Sequence, residues 1–450
     1  MMKKIGALVL AAVMMMMVTA VGFADGGNMT GQAGVVGEFP TPDHPDSYDD
    51  TVIIYKEITA YNPGGSTVNA PAVTFNYTIG AATVAEGTTI TDNASRHVKV
   101  NNTDVNATVA VKAGVGTPTI TGTAANVITL VPGTNTLLTA ENGKANRFPL
   151  TVDFSSIDFT TTGSGAGVYR YVINETTTET TKNASGIVEG SVANQLFMDV
   201  YVDGTGAIYG YVLFTNNTTI DGSTSEATAS TTAGKIEGFV GSKAGGEAYE
   251  SATESIADKY YTFDLTITKD VVNDNYIKDT HHQFPFTVTL TNSTVTANVL
   301  PIMTVSEHAT QAALTAGAIA GTWTPSIADS ATVTYVGIPT GTTITIKETN
   351  NVIGASYTSV SEGADTNASE KIINYNDESN TATVNCNATA LTIATENHTG
   401  TDKQVKFTNT LLQISPTGVT LRVAPYILML AAGILLFILA HKHRKANDEA

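Results

Sequence analysis

Phe263-Asp264-Leu265-Thr266-Ile267-Thr268-Lys269 alternates apolar with polar side chains, and its closing lysine falls on the apolar side. Successive strand residues face opposite ways, so this period of two marks a half-buried β-strand and sends Lys269 into a core beside Phe263, Leu265 and Ile267. The same period recurs over Thr51 to Ile58, Val73 to Ile79, Val168 to Ile173, Met198 to Val202, Ile208 to Phe214, Phe284 to Leu290, Thr343 to Lys347 and Gln404 to Phe407, with turn-rich segments between. Away from the two ends no useful amphipathic helical period occurs. The pattern predicts an all-β chain of immunoglobulin-like sandwiches.

Composition divides that chain in two. Residues 25–50, punctuated by Gly and Pro with clustered Asp, read as a flexible lead-in, and residues 221–259, rich in Ser, Thr, Ala and Gly, as a long loop or linker. They bracket one β-sandwich domain over 51–240 and a second, in tandem, over 260–412. The halves share an order of elements, which is an internal repeat under divergent loops. Each opens with a strand ending in lysine (Lys56, Lys269), continues through a Phe-bearing strand (Phe75; Phe284 and Phe286) and reaches a strand ending in glutamate (Glu175, Glu348).

The two ends specify export. Lys3 and Lys4 precede an apolar run, Ile5 to Val21, and the small-residue site Gly22-Phe23-Ala24, which predicts a signal peptide over 1–24 cut before Asp25. Val423 to Ala440 is apolar and long enough for a transmembrane helix, and the basic tail His441-Lys442-His443-Arg444-Lys445 stays cytoplasmic. Of 23 basic and 41 acidic residues, six and two lie outside Asp25–Thr417, leaving a net charge near −22 that excludes nucleic acid and acidic lipid as partners of the mature piece. Cys386 is the single cysteine, so no intramolecular disulfide forms and any covalent staple is of another kind.

Other signals read blandly. His281 and His282 beside Asp279, and His44 between Asp43 and Asp46, are expected to be solvated loop residues rather than metal ligands, since adjacent strand residues diverge. Trp323 reads as a packing residue. Without a nucleophile elbow, phosphate loop or zinc signature, neither an enzyme nor a cofactor is implied.

Parity singles out a few polar residues. Lys269 shares a face with Leu265 and Ile267, Glu348 with Ile344 and Ile346, Asn409 with Val405 and Phe407. All three point into a core, where each is costly unless partnered. A buried ion pair with a spectator Asn is one solution. In the first half Lys56 shares a face with Val52 and Ile54, and Glu175 with Tyr171 and Ile173. Its third group has two readings. Phe214-Thr215-Asn216 repeats the spelling of Phe407-Thr408-Asn409, which nominates Asn216, whereas Ile236 to Val240 looks like the true last strand and places Gly241 at the corresponding position.

Gln413-Ile414-Ser415-Pro416-Thr417-Gly418, ahead of the apolar span and basic tail, resembles the LPXTG sorting signal of sortase substrates, with Ser415 standing where that motif has its first Pro. The resemblance implies that a sortase cuts between Thr417 and Gly418 and joins Thr417 to cell-wall peptidoglycan or to a pilin subunit on a Gram-positive cell surface. The Lys, Glu, Asn order is similar to that of the streptococcal type of pilin domain, which forms intramolecular Lys–Asn isopeptide bonds. That likeness implies Lys269 as nucleophile, Asn409 as electrophile and Glu348 as proton carrier, with Lys56, Asn216 and Glu175 in those roles in the first half. Burial would lower the lysine pKa and raise that of the glutamate, so that a neutral amine attacks and a neutral carboxyl passes a proton to departing ammonia. Such a reaction runs once per molecule and is maturation. The implied function is a wall-anchored stalk or pilin-like protein, the alternative being an adhesin whose β-domains display a surface for a host or neighbouring-cell ligand. Lys182, Lys235 and Lys243 are candidates for an intermolecular link by expected exposure.

Overall fold

Every period-two segment lies within a strand of the computed structural model, which describes residues 50–62, 67–91, 98–100, 103–105, 108–133, 136–140, 144–161, 163, 165–218, 236–241, 256–272, 283–318, 321–348, 355–362, 381–385, 403–411 and 429–438. The signal peptide, nearly all of the lead-in, His44, Lys235, Lys243, His281, His282, Cys386, Thr417 and Gly418 lie outside these residues. Of the expected span, residues 429–438 are described; they are helical and expose Met429, Leu430 and Ile434 to Ile438. No helix among the described residues is long and apolar enough to cross a membrane.

In the first half, one sheet sets β1 (Thr51–Tyr61) against the antiparallel β3 (Lys144–Asp153). The facing sheet runs β2 (Val73–Ala81), β4 (Gly167–Glu175), β5 (Gln195–Val202) and β6 (Ile208–Phe214) side by side. Between them lies a core that includes Ile54, Ile58, Phe75, Leu150, Tyr171, Ile173, Met198 and Leu213. A single short helix, α1 (Glu179–Ala184), follows β4, capped by the Thr178 side chain.

Along the free side of β1 run two parallel pieces, β7 (Gly238–Phe239), with Lys56 opposite Phe239, and the start of β8 (Asp258–Val272), with Ile58 opposite Asp258. Gly238 has φ +144°, and a Cβ there would lie 2.1 Å from the Tyr55 carbonyl oxygen, so only glycine lets β7 approach β1 this closely.

β8 then becomes the first strand of the second sandwich. It pairs with β10 (Thr332–Pro339) and, in parallel, with β13 (Lys403–Leu411), which in turn pairs with β12 (Ala355–Glu362). β9 (Gln283–Thr291) and β11 (Thr343–Glu348) form the opposite sheet. The core here includes Leu265, Ile267, Phe286, Val288, Tyr335, Ile346 and Phe407. Since β8 lends Tyr260 to the first core and Phe263 onward to the second, it crosses the boundary expected at 259/260, and the end of the expected linker is strand.

Candidate functional site

In the second sandwich Lys269 is fully buried on β8, with its Nζ 4.6 Å above the Phe284 ring centroid. That Nζ lies 3.8 Å from Glu348 Oε1 at the end of β11, and it donates to the main-chain oxygens of Asp270 (3.1 Å) and Phe407 (3.3 Å). Burial lowers the Lys269 pKa to about 8, against the opposing pull of the Glu348 and Asp270 carboxylates. A lysine so placed is in part a free amine near neutral pH. The backbone of Asn409 stands opposite Val271, two places beyond the pairing of Lys269 with Phe407. Trp323 stacks on Tyr335 at 4.3 Å, as a packing residue would.

In the first sandwich the corresponding residues are Lys56 on β1 and Glu175 at the end of β4, both buried, with Nζ 2.9 Å from Oε2. Lys56 sits 4.6 Å above the Phe75 ring, as Lys269 does above Phe284. The third group is neither Asn216 nor Gly241. Asp258 Oδ2 lies 2.6 Å from Lys56 Nζ, and Asp258 stands opposite Ile58, two places beyond the pairing of Lys56 with Phe239. That register matches the one relating Lys269, Phe407 and Asn409.

Asn216 is excluded by the face it occupies. Tyr211 and Leu213 of β6 enter the first core, whereas Val212 and Phe214 enter a separate cluster with Val168 and Tyr201 on the far side of the sheet. Asn216, in step with Val212 and Phe214, instead accepts at Oδ1 from the Thr218 amide N–H (2.9 Å) and hydroxyl (2.9 Å). Gly241 is displaced because the strand beside β1 breaks after β7 and resumes at Asp258.

Lys182, expected to be exposed, is completely buried. α1 carries it into the same cluster, with Nζ 2.7 Å from Glu175 Oε1, 3.0 Å from Asp258 Oδ2 and 3.0 Å from Glu189 Oε1. Burial would push its pKa down, but the Glu175 and Asp258 carboxylates prevail and hold it above the ordinary lysine value. Burial likewise pushes Asp258 up, and the Lys56 and Lys182 ammonium groups together bring it below the usual carboxylate range. The Tyr77 hydroxyl donates to Glu175 Oε2 at 3.3 Å and is driven well up by burial and by that carboxylate.

A family model described as a domain of unknown function, DUF7601, matches residues 263–411. Those bounds run from the part of β8 that faces the second core to the end of β13. No curated protein matches the chain. Among solved structures it is similar to the major pilin T3.2 of Streptococcus pyogenes, with 16% identity over 81% of this chain and 98% of that one and a TM-score of 0.35. It is similar also to the major pilin T-13 of the same organism (15%, 81% and 100%, TM-score 0.35) and to the pilus-presented adhesin Cpa (15%, 48% and 35%, TM-score 0.22). Likeness at this level fixes no residue equivalence, and the site stands on its own distances.

Proposed function

We propose that the chain is a pilin-like structural protein of a Gram-positive cell surface, hardened by an isopeptide bond that Lys269 and Asn409 form between themselves with Glu348 as proton carrier. The observation that supports this most is the placement of Lys269: an amine lowered by burial, over an aromatic ring, beside a buried carboxyl group, on the strand that pairs with the Asn409 strand. In the bond-forming step the neutral Lys269 nitrogen attacks Cγ of Asn409, Glu348 takes the amine proton and gives it to the departing nitrogen, and ammonia leaves. An amide replaces a buried charge, which also removes the desolvation cost of a core lysine. Gln413 to Gly418, the apolar span and the basic tail support sortase anchoring through Thr417, with peptidoglycan or a further subunit as the acceptor.

Tryptic digestion of the full-length chain tests the reading. The digest should contain a branched peptide joining Lys269 to Asn409, lighter than its two parts by about 17 Da, one ammonia. Glu348→Ala should return both peptides to linear form, although nucleophile and electrophile remain. A buried ion pair alone predicts linear peptides throughout. Full recovery of unmodified Asn409 peptide from the wild-type chain would therefore discard the proposal.

A further inference from the structure

Past Lys269, β8 runs beyond the strand that faces its edge, because β10 begins at Thr332, opposite Thr268. The turn over 328–331, closed by the Ala331 N–H donating to the Ala328 oxygen at 3.1 Å, takes over that edge. The Lys269 N–H donates to the Ala331 oxygen at 3.1 Å, and the Lys269 oxygen accepts from the Ser330 N–H at 2.8 Å. Amide groups facing one neighbour recur every second residue, so the next to need a partner on this edge is the Val271 N–H. A side chain supplies it: Oδ1 of the buried Asp329 accepts from the Val271 N–H at 2.6 Å.

We propose that Asp329 is a positioning residue for formation of the Lys269–Asn409 bond, holding Val271, and through it the neighbouring strand, at the register the reaction needs. The inference rests on that proposed bond. Val271 is the residue opposite Asn409 in the parallel pairing of β8 with β13. Main chain left loose at Val271 would let Asn409 drift from the lysine two places before it. Since Ala331 and Ser330 also pin the main chain of Lys269, one turn fixes both the nucleophile and the strand partner of the electrophile.

Backbone strain at this turn supports the same reading. Ser330, at φ +63°, occupies the left-handed region without being glycine, and so does His308, at φ +65°, whose oxygen accepts from the Ala328 N–H at 3.1 Å. Such conformations persist where the surroundings over-determine them, and they gather where geometry is put to use. The charge of Asp329 works against its geometry. With Glu348 and with Asp270, whose Oδ2 lies 2.8 Å from Lys406 Nζ, it draws Lys269 toward the protonated form. An ammonium has no lone pair, so the carboxylate charge hinders the attack that the carboxylate oxygen positions. Substitution can separate the two effects.

The full-length chain, made by brief cell-free synthesis and chased into buffers spanning the Lys269 pKa, gives the rate at which the branched Lys269–Asn409 peptide appears. In the wild type this rate should rise with pH as the amine loses its proton and then reach a plateau. Asp329→Ala removes the acceptor and should lower the plateau about 10- to 100-fold, the scale of loss from a small misplacement. Asp329→Asn keeps a carbonyl acceptor without the charge, so its plateau should stay near that of the wild type while its rise moves to lower pH. A merely structural role would not move the rise. Fluorescence of Trp323, the single tryptophan, stacked on Tyr335 in the same core, reports that each variant has folded. Should Asp329→Ala fail to fold, Asp329→Asn decides alone, by the same plateau and the same shift. Asp329→Ala bonding at the wild-type rate at every pH, or a plateau for Asp329→Asn lowered about 10-fold or more, would overturn the role of Asp329 while leaving the bond in place. A wild type that forms no branch would remove the bond itself and this role with it.

Discussion

Lys269 pays for its site in a way that pH can read. Its pKa is about 8 in the fold against an ordinary 10.5, so between these values the unfolded chain binds a proton that the folded chain does not. The penalty is complete below the lower value and gone above the upper one, and a fold with a free Lys269 gains stability as pH rises through the window. Asn409→Ala keeps the amine and Glu348 but cannot close the bond, and its unfolding free energy should rise by about 3 kcal/mol across that window. Denaturant unfolding of this variant beside Lys269→Met, which lacks the titrating group, isolates the effect, and parallel pH profiles for the two would contradict it. At this scale parity was a good guide: Lys56, Glu175, Lys269 and Glu348 could all be assigned to core faces from the sequence. It failed at Asn216 because β6 is buried on both faces, and alternation says only that two residues share a face, not which core that face meets. The burial of Lys182, expected to be exposed, was not legible because the short α1, set in a Thr- and Asn-rich run, carries no helical period.

The element that hid most from the sequence is β8, and the reason is a change of phase within it. Tyr260 and Thr262 are buried in step with Asp258, whereas from Phe263 onward it is Leu265, Ile267, Lys269 and Val271 that are buried, with a register shift against β10 between Phe263 and Leu265. One strand can thereby serve two cores, but its alternation breaks midway and its first residues look like the end of a linker. The phase change is held by polar contacts. Asp264 Oδ1 accepts from Asn62 Nδ2 at 2.7 Å and from the Gly337 N–H at 3.1 Å, and the Asn62 amide also donates to Thr262 Oγ1 at 3.1 Å. Asp264→Ala would leave the Gly337 amide without this acceptor at a buried position and should cost about 1–3 kcal/mol in thermal or denaturant unfolding. Asp264→Asn keeps a carbonyl acceptor and should lose clearly less. Equal losses would mean that the charge, and not the acceptor, is what the junction needs.

For the whole molecule, the repeated order of lysine, phenylalanine and glutamate strands predicts two β-sandwiches in tandem, and the described strands pack about two separate large cores, but the way the chain would bear force depends on where the proposed cross-link falls. If the proposed Lys269–Asn409 bond forms, a pull entering the second half along β8 crosses from Lys269 to Asn409 and leaves along β13, the two strands that already pair in parallel. The chain between the two residues is bypassed. The closure also removes denatured-state entropy worth on the order of 5 kcal/mol by the loop model used for disulfides. Under load, however, the covalent path matters more than that equilibrium gain, because unfolding of the second half could then release almost no length. Single-molecule stretching of the chain held upstream of Lys269 and downstream of Asn409 should therefore show no unfolding step from this half in the wild type. Glu348→Ala should open the loop and release about 480 Å, from roughly 3.4 Å per extended residue. A wild-type step of that length would mean that the Lys269–Asn409 bond is absent.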